Sequence, residues 1–304
     1  MKRGAGADYF VKLLGASGPH RYTVGMKIIG LDSLLFGVHQ LDACADYLRA
    51  FGLVERLGDG PVRRFEACDG SAIGLAPGGI GCEAVYAVAD QRALELGEAE
   101  LARDRAVVLA DGVLHTVDDA GMAIGFRVVR ARREPSYARR ARQQVRPLAL
   151  SHIACCVPDV RAAEAFYLGR LGFAATTRVG DAGSFLRPAG SREHHTLFLH
   201  QAPAALHGVE HFTFHLACGE HVMQAGAAFE QRGYRSSWGP GRHLIGSNWF
   251  WYFDSPLGCK AAYDAEMDAH DGSAMARDGL LTPDRPQYAA FLPPDSWRGR
   301  YSLQ

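Results

Sequence analysis

The spacing of apolar residues changes in the same order in each half of the chain. Residues 30–53 (GLDSLLFGVHQLDACADYLRAFGL) and 149–173 (ALSHIACCVPDVRAAEAFYLGRLGF) each begin with a short apolar run and a polar break. Apolar residues then recur at every third or fourth position, and each segment ends at an aromatic residue next to a glycine. A short apolar run favours a buried strand, and the wider spacing is typical of an amphipathic helix. Both segments therefore predict a strand followed by a helix, repeated after about 120 residues.

The helix of the second copy has a clear start and end. Asp159 is a plausible N-cap because its carboxylate can accept hydrogen bonds from free backbone amides, and Gly172 favours termination. The predicted buried stripe comprises Val160, Ala163, Phe166, Tyr167 and Leu171. These positions share one helical face, so the sequence predicts a helix packed against a sheet.

The two copies stay in register beyond the helix. The matching segments are 65–76 with 185–199, 81–88 with 208–215, and 120–128 with 257–265. The first pair predicts hairpins that turn at a Gly-Ser pair. Each copy therefore predicts the order β-α-β-β-β, and we expect an α+β chain of paired βαβββ modules.

Composition divides the chain into five predicted segments. They are an N-terminal extension (1–25), a first module (26–130), a basic linker (131–146), a second module (147–268) and an irregular tail (269–304). The tail is interrupted by proline and glycine, which disfavour regular structure. The linker is expected to be a solvated connection rather than a nucleic-acid patch.

Charge and cysteine content exclude several function classes. The 304 residues include 33 basic and 33 acidic side chains, so no net field favours nucleic acid or an acidic membrane surface. No apolar run approaches the roughly 18 residues of a membrane helix, and residues 1–25 lack the features of a signal peptide. The seven cysteines form no CxxC pair. Reduced, buried thiols in a cytoplasmic protein are therefore expected.

Two histidines distinguish the second copy from the first. The residue equivalent to Ser33 is His152, and the residue aligned with Ala84 is His211. Both lie on predicted strands, where a buried histidine needs a partner. A hydrogen-bonded core role is the alternative for either residue alone. Two histidines at equivalent sites of only one copy favour a metal site, because neutral imidazole is a common metal ligand.

The motifs around these histidines resemble those of the vicinal oxygen chelate superfamily, and within it the two-module type I extradiol ring-cleaving dioxygenases. The resemblance covers residues 26–268 and implies two domains with curled mixed sheets. It also implies Fe(II) bound in the second module by two histidines and a glutamate. The motif SHIACCVPDV maps the first ligand to His152, and GVEHFTFHL maps the second to His211.

The same resemblance assigns residues around the metal. The acid/base histidine of the strand REHHTLFLH corresponds to His195, or to His194 if the register differs by one. GPGRHLIG places a substrate-facing histidine at His243, and WFWYFDSP places a hydrogen-bonding tyrosine at Tyr252. His194 and Phe250 are the expected substrate-binding residues. The implied partners are a small catecholic or phenolic aromatic, dioxygen and further copies of the chain in a homo-oligomer, with no nucleic acid or membrane.

One position departs from the family pattern. The ligand glutamate should lie four residues after Gly258 and ten after Tyr252, and both spacings lead to Ala262. An alanine side chain cannot bind a metal, so the third ligand position is atypical. Asp264, Glu266 and His215 are possible substitutes, although Asp264 would lie about 7 Å further along the same strand face.

Three further interpretations remain open at this position. Water, a halide or the substrate fills the third place on a two-histidine iron, or the alanine is a deliberate glutamate replacement that gives an inactive form. Alternatively, the pocket is metal-free and the protein is a non-redox, isomerase-like or small-molecule-binding member of the superfamily. The histidines and Tyr252 favour an extradiol dioxygenase-like oxidoreductase.

Overall fold

The computed structural model describes residues 26–270 except 59, 80 and 130–143, together with a short strand at 277–278. The predicted extension 1–25, most of the basic linker and most of the tail lie outside the described residues. Among the described residues, no helix combines the length and apolar character needed to cross a membrane.

The first module starts its strands and helices where the apolar spacing changes. Its described elements are β1 (Ile28–Val38), α1 (Leu41–Ala50), β2 (Val54–Arg56), β3 (Arg63–Glu66), β4 (Ala72–Pro77), β5 (Gly81–Val88), α2 (Gln91–Leu101), β6 (Val108–Ala110), β7 (Val113–Val117) and β8 (Ala123–Val128). The strands form one mixed sheet in the order β2-β3-β4-β1-β5-β8-β7-β6.

The second module repeats this layout. Its described elements are β9 (Ala149–Val157), α3 (Val160–Arg170), β10 (Phe173–Val179), β11 (Gly183–Pro188), β12 (Leu197–Gln201), a 3-10 turn (Ala204–Leu206), β13 (Gly208–His215), α4 (Gly219–Gln231), β14 (Ser236–Arg242), β15 (Trp249–Asp254), β16 (Lys260–Ala265) and β17 (Arg277–Asp278). Within the part of the chain described, the sheet order is β14-β15-β16-β13-β9-β12-β11-β10-β17.

Paired modules built from βαβββ units are therefore confirmed, with one addition. Each module holds two such units rather than one. The second unit begins at β5 in the first module and at β13 in the second, and it contains α2 or α4. The central strands of the two units, β9 and β13, pair antiparallel and join the units into one sheet. The midpoint of the second sheet therefore lies where the two predicted ligand histidines are found.

The predicted helix of the second module forms as the pattern indicates. It is α3, and the Asp159 carboxylate accepts a hydrogen bond from the amide of Ala162 at 3.0 Å. Gly172 has φ +70, a left-handed conformation that glycine adopts without the steric penalty of a side chain. All five residues of the predicted stripe are buried.

Aromatic packing joins the modules. Phe51, at the end of α1, stacks on Tyr263 of β16 with ring centroids 4.0 Å apart. The Tyr263 hydroxyl also donates a hydrogen bond of 2.9 Å to the Phe51 carbonyl. Tyr47 and Phe229 pack edge to face beside them. Such pairs add stabilisation to the area that they bury, so the second sheet is supported by the first module.

The aromatic run of β15 divides between the two faces of the strand. Trp251 packs on α4 so closely that a Cβ added at Gly226 would lie 2.0 Å from the indole. Trp249 lies in the same way against Gly219. Phe250 and Tyr252 face the opposite side, because successive side chains of a strand alternate. The face carrying Phe250 and Tyr252 is the face of the candidate site.

Candidate active site

Four of the side chains that define the site lie in one row of paired residues across the second sheet. His152 on β9 pairs with Thr213 on β13, Thr213 pairs with Ala262 on β16, and Ala262 pairs with Tyr252 on β15. Directly opposed residues on neighbouring strands lie on the same face of a sheet. This register therefore brings the first predicted ligand, the alanine position and the tyrosine into one row.

The two predicted ligand histidines meet beside this row. The Nε2 atoms of His152 and His211 lie 3.3 Å apart, and both rings are buried. Two imidazole nitrogens that bind one ion at about 2.1 Å each lie between about 3 and 4 Å apart. The spacing of the two Nε2 atoms therefore fits a shared metal ion.

The other nitrogen of each ring is oriented by a hydrogen bond. His152 Nδ1 lies 2.9 Å from the Ser151 hydroxyl, which donates to the Asp264 carboxylate at 3.0 Å. His211 Nδ1 contacts the carboxylate of Glu210. A hydrogen bond at Nδ1 places the lone pair on Nε2, which is how metal-binding histidines are usually arranged. The Thr213 hydroxyl lies 3.2 Å from His152 Nε2.

Burial keeps His152 and His195 neutral. Burial and the nearby His195 and His211 rings hold the pKa of His152 well below its usual value. Burial, together with the His194 and His243 rings, lowers the pKa of His195 in the same way. Neutral imidazole is the form that binds metals and accepts protons. His152 and His195 are therefore in the form that can bind a metal or accept a proton.

His195 lies against the ligand pair but not on a strand. The sequence placed it on the hairpin strand, whereas β12 begins only at Leu197 and His195 precedes it. Its ring centroid is 4.4 Å from that of His152. His194 Nδ1 lies 3.0 Å from His195 Nδ1, and His194 Nε2 lies 3.1 Å from the Thr177 hydroxyl. His195 is thus the inner residue of the pair and His194 the outer one.

His243 and Tyr252 form the opposite side of the cluster. His243 Nε2 and the Tyr252 hydroxyl share a hydrogen bond of 3.1 Å, and the His243 ring stacks on Phe250 with centroids 3.9 Å apart. Burial and the His211 ring lower the pKa of His243 to about 3. Burial and then the Glu210 and Asp264 charges raise the pKa of Tyr252 well above its usual value. The phenol therefore stays protonated as a hydrogen-bond donor.

Ala262 lies at the position of the expected third metal ligand, and apolar side chains surround it. Its side chain is fully buried and clusters with Trp238, Phe250 and Tyr252. Among the residues that the structure describes, no group of three or more His, Cys, Asp or Glu side chains is arranged to hold a metal. The site therefore offers two imidazole ligands and no third side-chain ligand of these types.

The three possible substitutes for the missing carboxylate are engaged elsewhere. Asp264 forms an ion pair with His215 at 2.6 Å. These two residues pair across β13 and β16 two positions beyond Thr213 and Ala262. Glu193 lies 3.3 Å from the same imidazole ring. Burial alone would lower the pKa of His215, but the Asp264 and Glu193 charges outweigh it and raise that pKa well above its usual value. Glu266 accepts a hydrogen bond from the Gly219 amide at the start of α4.

A β-bulge in β13 shifts the alignment of the two modules at His211 by one residue. Val209 pairs with Cys155 and His211 with Ala154, so Glu210 is an extra residue of β13. In the first module the corresponding pairing is continuous and aligns Glu83, not Ala84, with His211. Sequence matching without a gap missed this shift. The signal was a glutamate before the histidine on an otherwise apolar strand.

Comparison with known proteins agrees with the fold. Residues 149–260 match the family model of the Glyoxalase/Bleomycin resistance protein/Dioxygenase superfamily. The chain is 33% identical over 155 residues to Metapyrocatechase 2 of Cupriavidus necator. That match covers 48% of this chain and 48% of that protein, so it spans about half the length of the relative.

Solved structures share the whole two-module architecture. The Mn(II)-bound glyoxalase from Novosphingobium aromaticivorans has a TM-score of 0.76 at 20% identity, covering 89% of this chain and 94% of its own. The 2,3-dioxygenase LapB from Pseudomonas sp. KL28 has a TM-score of 0.74 at 18% identity, covering 84% and 98%. Homoprotocatechuate 2,3-dioxygenase from Brevibacterium fuscum has a TM-score of 0.76 at 16% identity, covering 91% and 93%.

These findings agree with the two-module fold. Residues 149–260 are similar to the Glyoxalase/Bleomycin resistance protein/Dioxygenase superfamily, and the proteins that resemble the chain include Metapyrocatechase 2 and the solved 2,3-dioxygenases.

Proposed function

We propose that this chain is an extradiol-type ring-cleaving dioxygenase-like enzyme that acts on a catecholic or phenolic aromatic at a two-histidine Fe(II) site. One observation carries the proposal: His152 and His211 bring their Nε2 atoms to 3.3 Å while both Nδ1 atoms are engaged. With hydrogen bonds at both Nδ1 atoms, the two Nε2 lone pairs can be directed at one ion. The relationship to Metapyrocatechase 2 supports the same reaction class.

His152 and His211 would hold the metal in this proposal. Fe(II), when bound, supplies the Lewis-acid and redox chemistry that acts on the aromatic diol and dioxygen. Ala262 contributes no charge, so the affinity for free metal is expected to be weaker than in a site with a bound carboxylate. Because Ala262 offers no donor atom, the third place on the metal would be left to water, a halide or the substrate's own oxygen.

The surrounding residues bind the substrate and move its protons. His195 is neutral and buried against His152, so it accepts a proton from a substrate hydroxyl and later returns it to the product. Tyr252 stays protonated and, held by His243, donates a hydrogen bond to a substrate oxygen. Phe250 and Trp238 form an apolar wall that keeps water away.

The test combines metal content with oxygen uptake. The protein is reconstituted anaerobically with Fe(II), its iron is measured by inductively coupled plasma mass spectrometry, and oxygen uptake is followed with a panel of catechols. We expect bound iron and uptake that His211→Ala abolishes. His115→Gln, a histidine change in the first module, is the matched control and should preserve both. Bound iron without uptake on any catechol would refute the dioxygenase assignment.

A metal-free, non-redox function is the second candidate. The apolar cluster around Ala262 favours it, because Trp238, Phe250 and Tyr252 surround the position that a ligand would occupy. In that case the same reconstitution gives no iron in the wild-type protein, and the pocket binds an aromatic ligand regardless of metal. Isothermal titration with catechols in the presence of a chelator separates the two candidates.

Oligomerisation and location are expectations that accompany this proposal. A homo-oligomer is expected by analogy with the family, and a cytoplasmic location is expected from the free cysteines. Analytical ultracentrifugation tests the first expectation directly.

A further inference from the structure

The residue before the second ligand histidine is placed by a backbone irregularity. Two steps along β13, from Val209 to His211, are matched by a single step along β9, from Cys155 to Ala154. Glu210 is the additional residue, and the equivalent strand of the first module has no such insertion between Cys82 and Val85. Bulges frequently redirect a side chain beside a functional site. Here the redirected side chain is a carboxylate.

The redirected carboxylate is buried against the ligand. Glu210 is 5% exposed, and its Oε2 contacts Nδ1 of His211. On a regular strand, adjacent side chains point to opposite faces and this contact would not form. A charged carboxylate taken out of water is costly unless a buried partner stabilises it. The bulge therefore holds the Glu210 carboxylate against His211, a contact that packing alone does not require.

We propose that Glu210 is a positioning residue that compensates the metal's charge through His211, in place of the carboxylate absent at Ala262. This inference rests on the proposed Fe(II) site. Two neutral imidazoles leave both positive charges of the ion uncompensated in a buried pocket. A carboxylate on Nδ1 fixes the ring, makes the imidazole a stronger ligand and places negative charge in the outer shell.

Asp264, the carboxylate nearest the other ligand histidine, is placed less directly than Glu210. Asp264 reaches His152 through Ser151, but it also forms an ion pair with His215. Burial works against protonation of His215, yet the Asp264 and Glu193 charges keep its pKa well above the usual value. Asp264 is therefore shared between His215 and the contact with Ser151. Glu210 contacts the ligand ring itself, with no side chain between them.

The experiment is a double-mutant cycle of metal affinity. Co(II) affinity is measured by chelator competition, and the visible d–d spectrum reports coordination, for the wild type, Glu210→Gln, Ala262→Glu and the double variant. We expect Glu210→Gln to weaken Co(II) binding by about 10- to 100-fold, the usual effect of removing an outer-shell partner. With the carboxylate restored by Ala262→Glu, the same change should weaken binding less than about threefold.

Glu164→Gln is the matched control, because Glu164 is also a buried carboxylate of the second module and pairs with Arg178. It should leave Co(II) affinity unchanged. Circular dichroism checks that each variant is folded. Equal Co(II) affinity of the wild type and Glu210→Gln would overturn the inference while leaving the two-histidine site intact. Equal losses in both backgrounds would overturn it as well, since they indicate a structural effect. A wild-type protein that binds no Co(II) or Fe(II) would overturn the inference and the proposed function together.

Discussion

Replacing Ala262 by glutamate tests the third ligand position directly. Ala262 is fully buried and surrounded by Trp238, Phe250 and Tyr252. A longer side chain there causes overpacking, which typically costs about 1–3 kcal/mol. Without metal, a buried and unpaired carboxylate adds roughly 3 kcal/mol. Metal-free Ala262→Glu should therefore be less stable than the wild type by about 4–6 kcal/mol.

Metal should reverse about half of this loss, and only in the glutamate variant. If the new carboxylate raises metal affinity by about 100-fold, saturating metal stabilises the fold by about 2.7 kcal/mol more than it stabilises the wild type. At roughly 2–4 °C per kcal/mol for a domain of this size, the additional rise in Tm is about 5–10 °C. Ala262→Gln adds nearly the same volume without charge, so it should lose stability and gain little from metal.

Differential scanning calorimetry with Mn(II) gives both numbers in one series, since Mn(II) avoids oxidation during heating. The wild type, the glutamate variant and the glutamine variant are compared with a chelator and at rising Mn(II) concentration. An equal metal response of the glutamate and glutamine variants would show that position 262 does not face the ion. It would also refute the assignment of His152 and His211 as two members of a three-ligand set.

Three further predictions follow from individual contacts. His195→Asn should lower kcat/KM for oxygen uptake by about 10²–10⁴-fold with iron content unchanged, since a lost acid/base group has that effect; parallel loss of iron would instead indicate a ligand or structural role. The folded-state pKa of His243, about 3, lies below its unfolded value, so the unfolded chain binds more protons and stability falls as pH drops below about 6.5. The contribution of His243 to this loss should be about 1.4 kcal/mol at pH 5.5 in metal-free protein, so the total loss should be smaller by that amount in His243→Gln, measured by urea unfolding; an identical pH slope in both proteins would contradict it. Gly226→Ala should destabilise the fold by at least about 1–3 kcal/mol because its Cβ would lie 2.0 Å from Trp251, whereas Gly169→Ala on α3, with no atom within 4 Å, should be neutral or stabilising in thermal melts.

The local sequence pattern was sufficient to predict features that depend only on residues close together in the chain. The cap at Asp159, the stripe of α3 and the stop at Gly172 were all predicted, because capping and helical periodicity act within a few residues. The additional helices α2 and α4 were missed although they carry comparable signals. Asp90 caps α2 by accepting from the Ala93 amide, and that aspartate before an apolar-periodic segment was the available clue.

The order of residues is enough to identify two histidines in one copy, a histidine and a tyrosine downstream, and an alanine in place of a carboxylate. How these side chains meet depends on the pairing of strands that are distant in the chain. His152 and Thr213 are 61 residues apart in the chain and become neighbours through the pairing of β9 with β13. The bulge that turns Glu210 toward His211, and the ion pair that engages Asp264, likewise depend on strand register. Register is set by contacts between distant strands, and a shift of one residue reverses the face of each side chain.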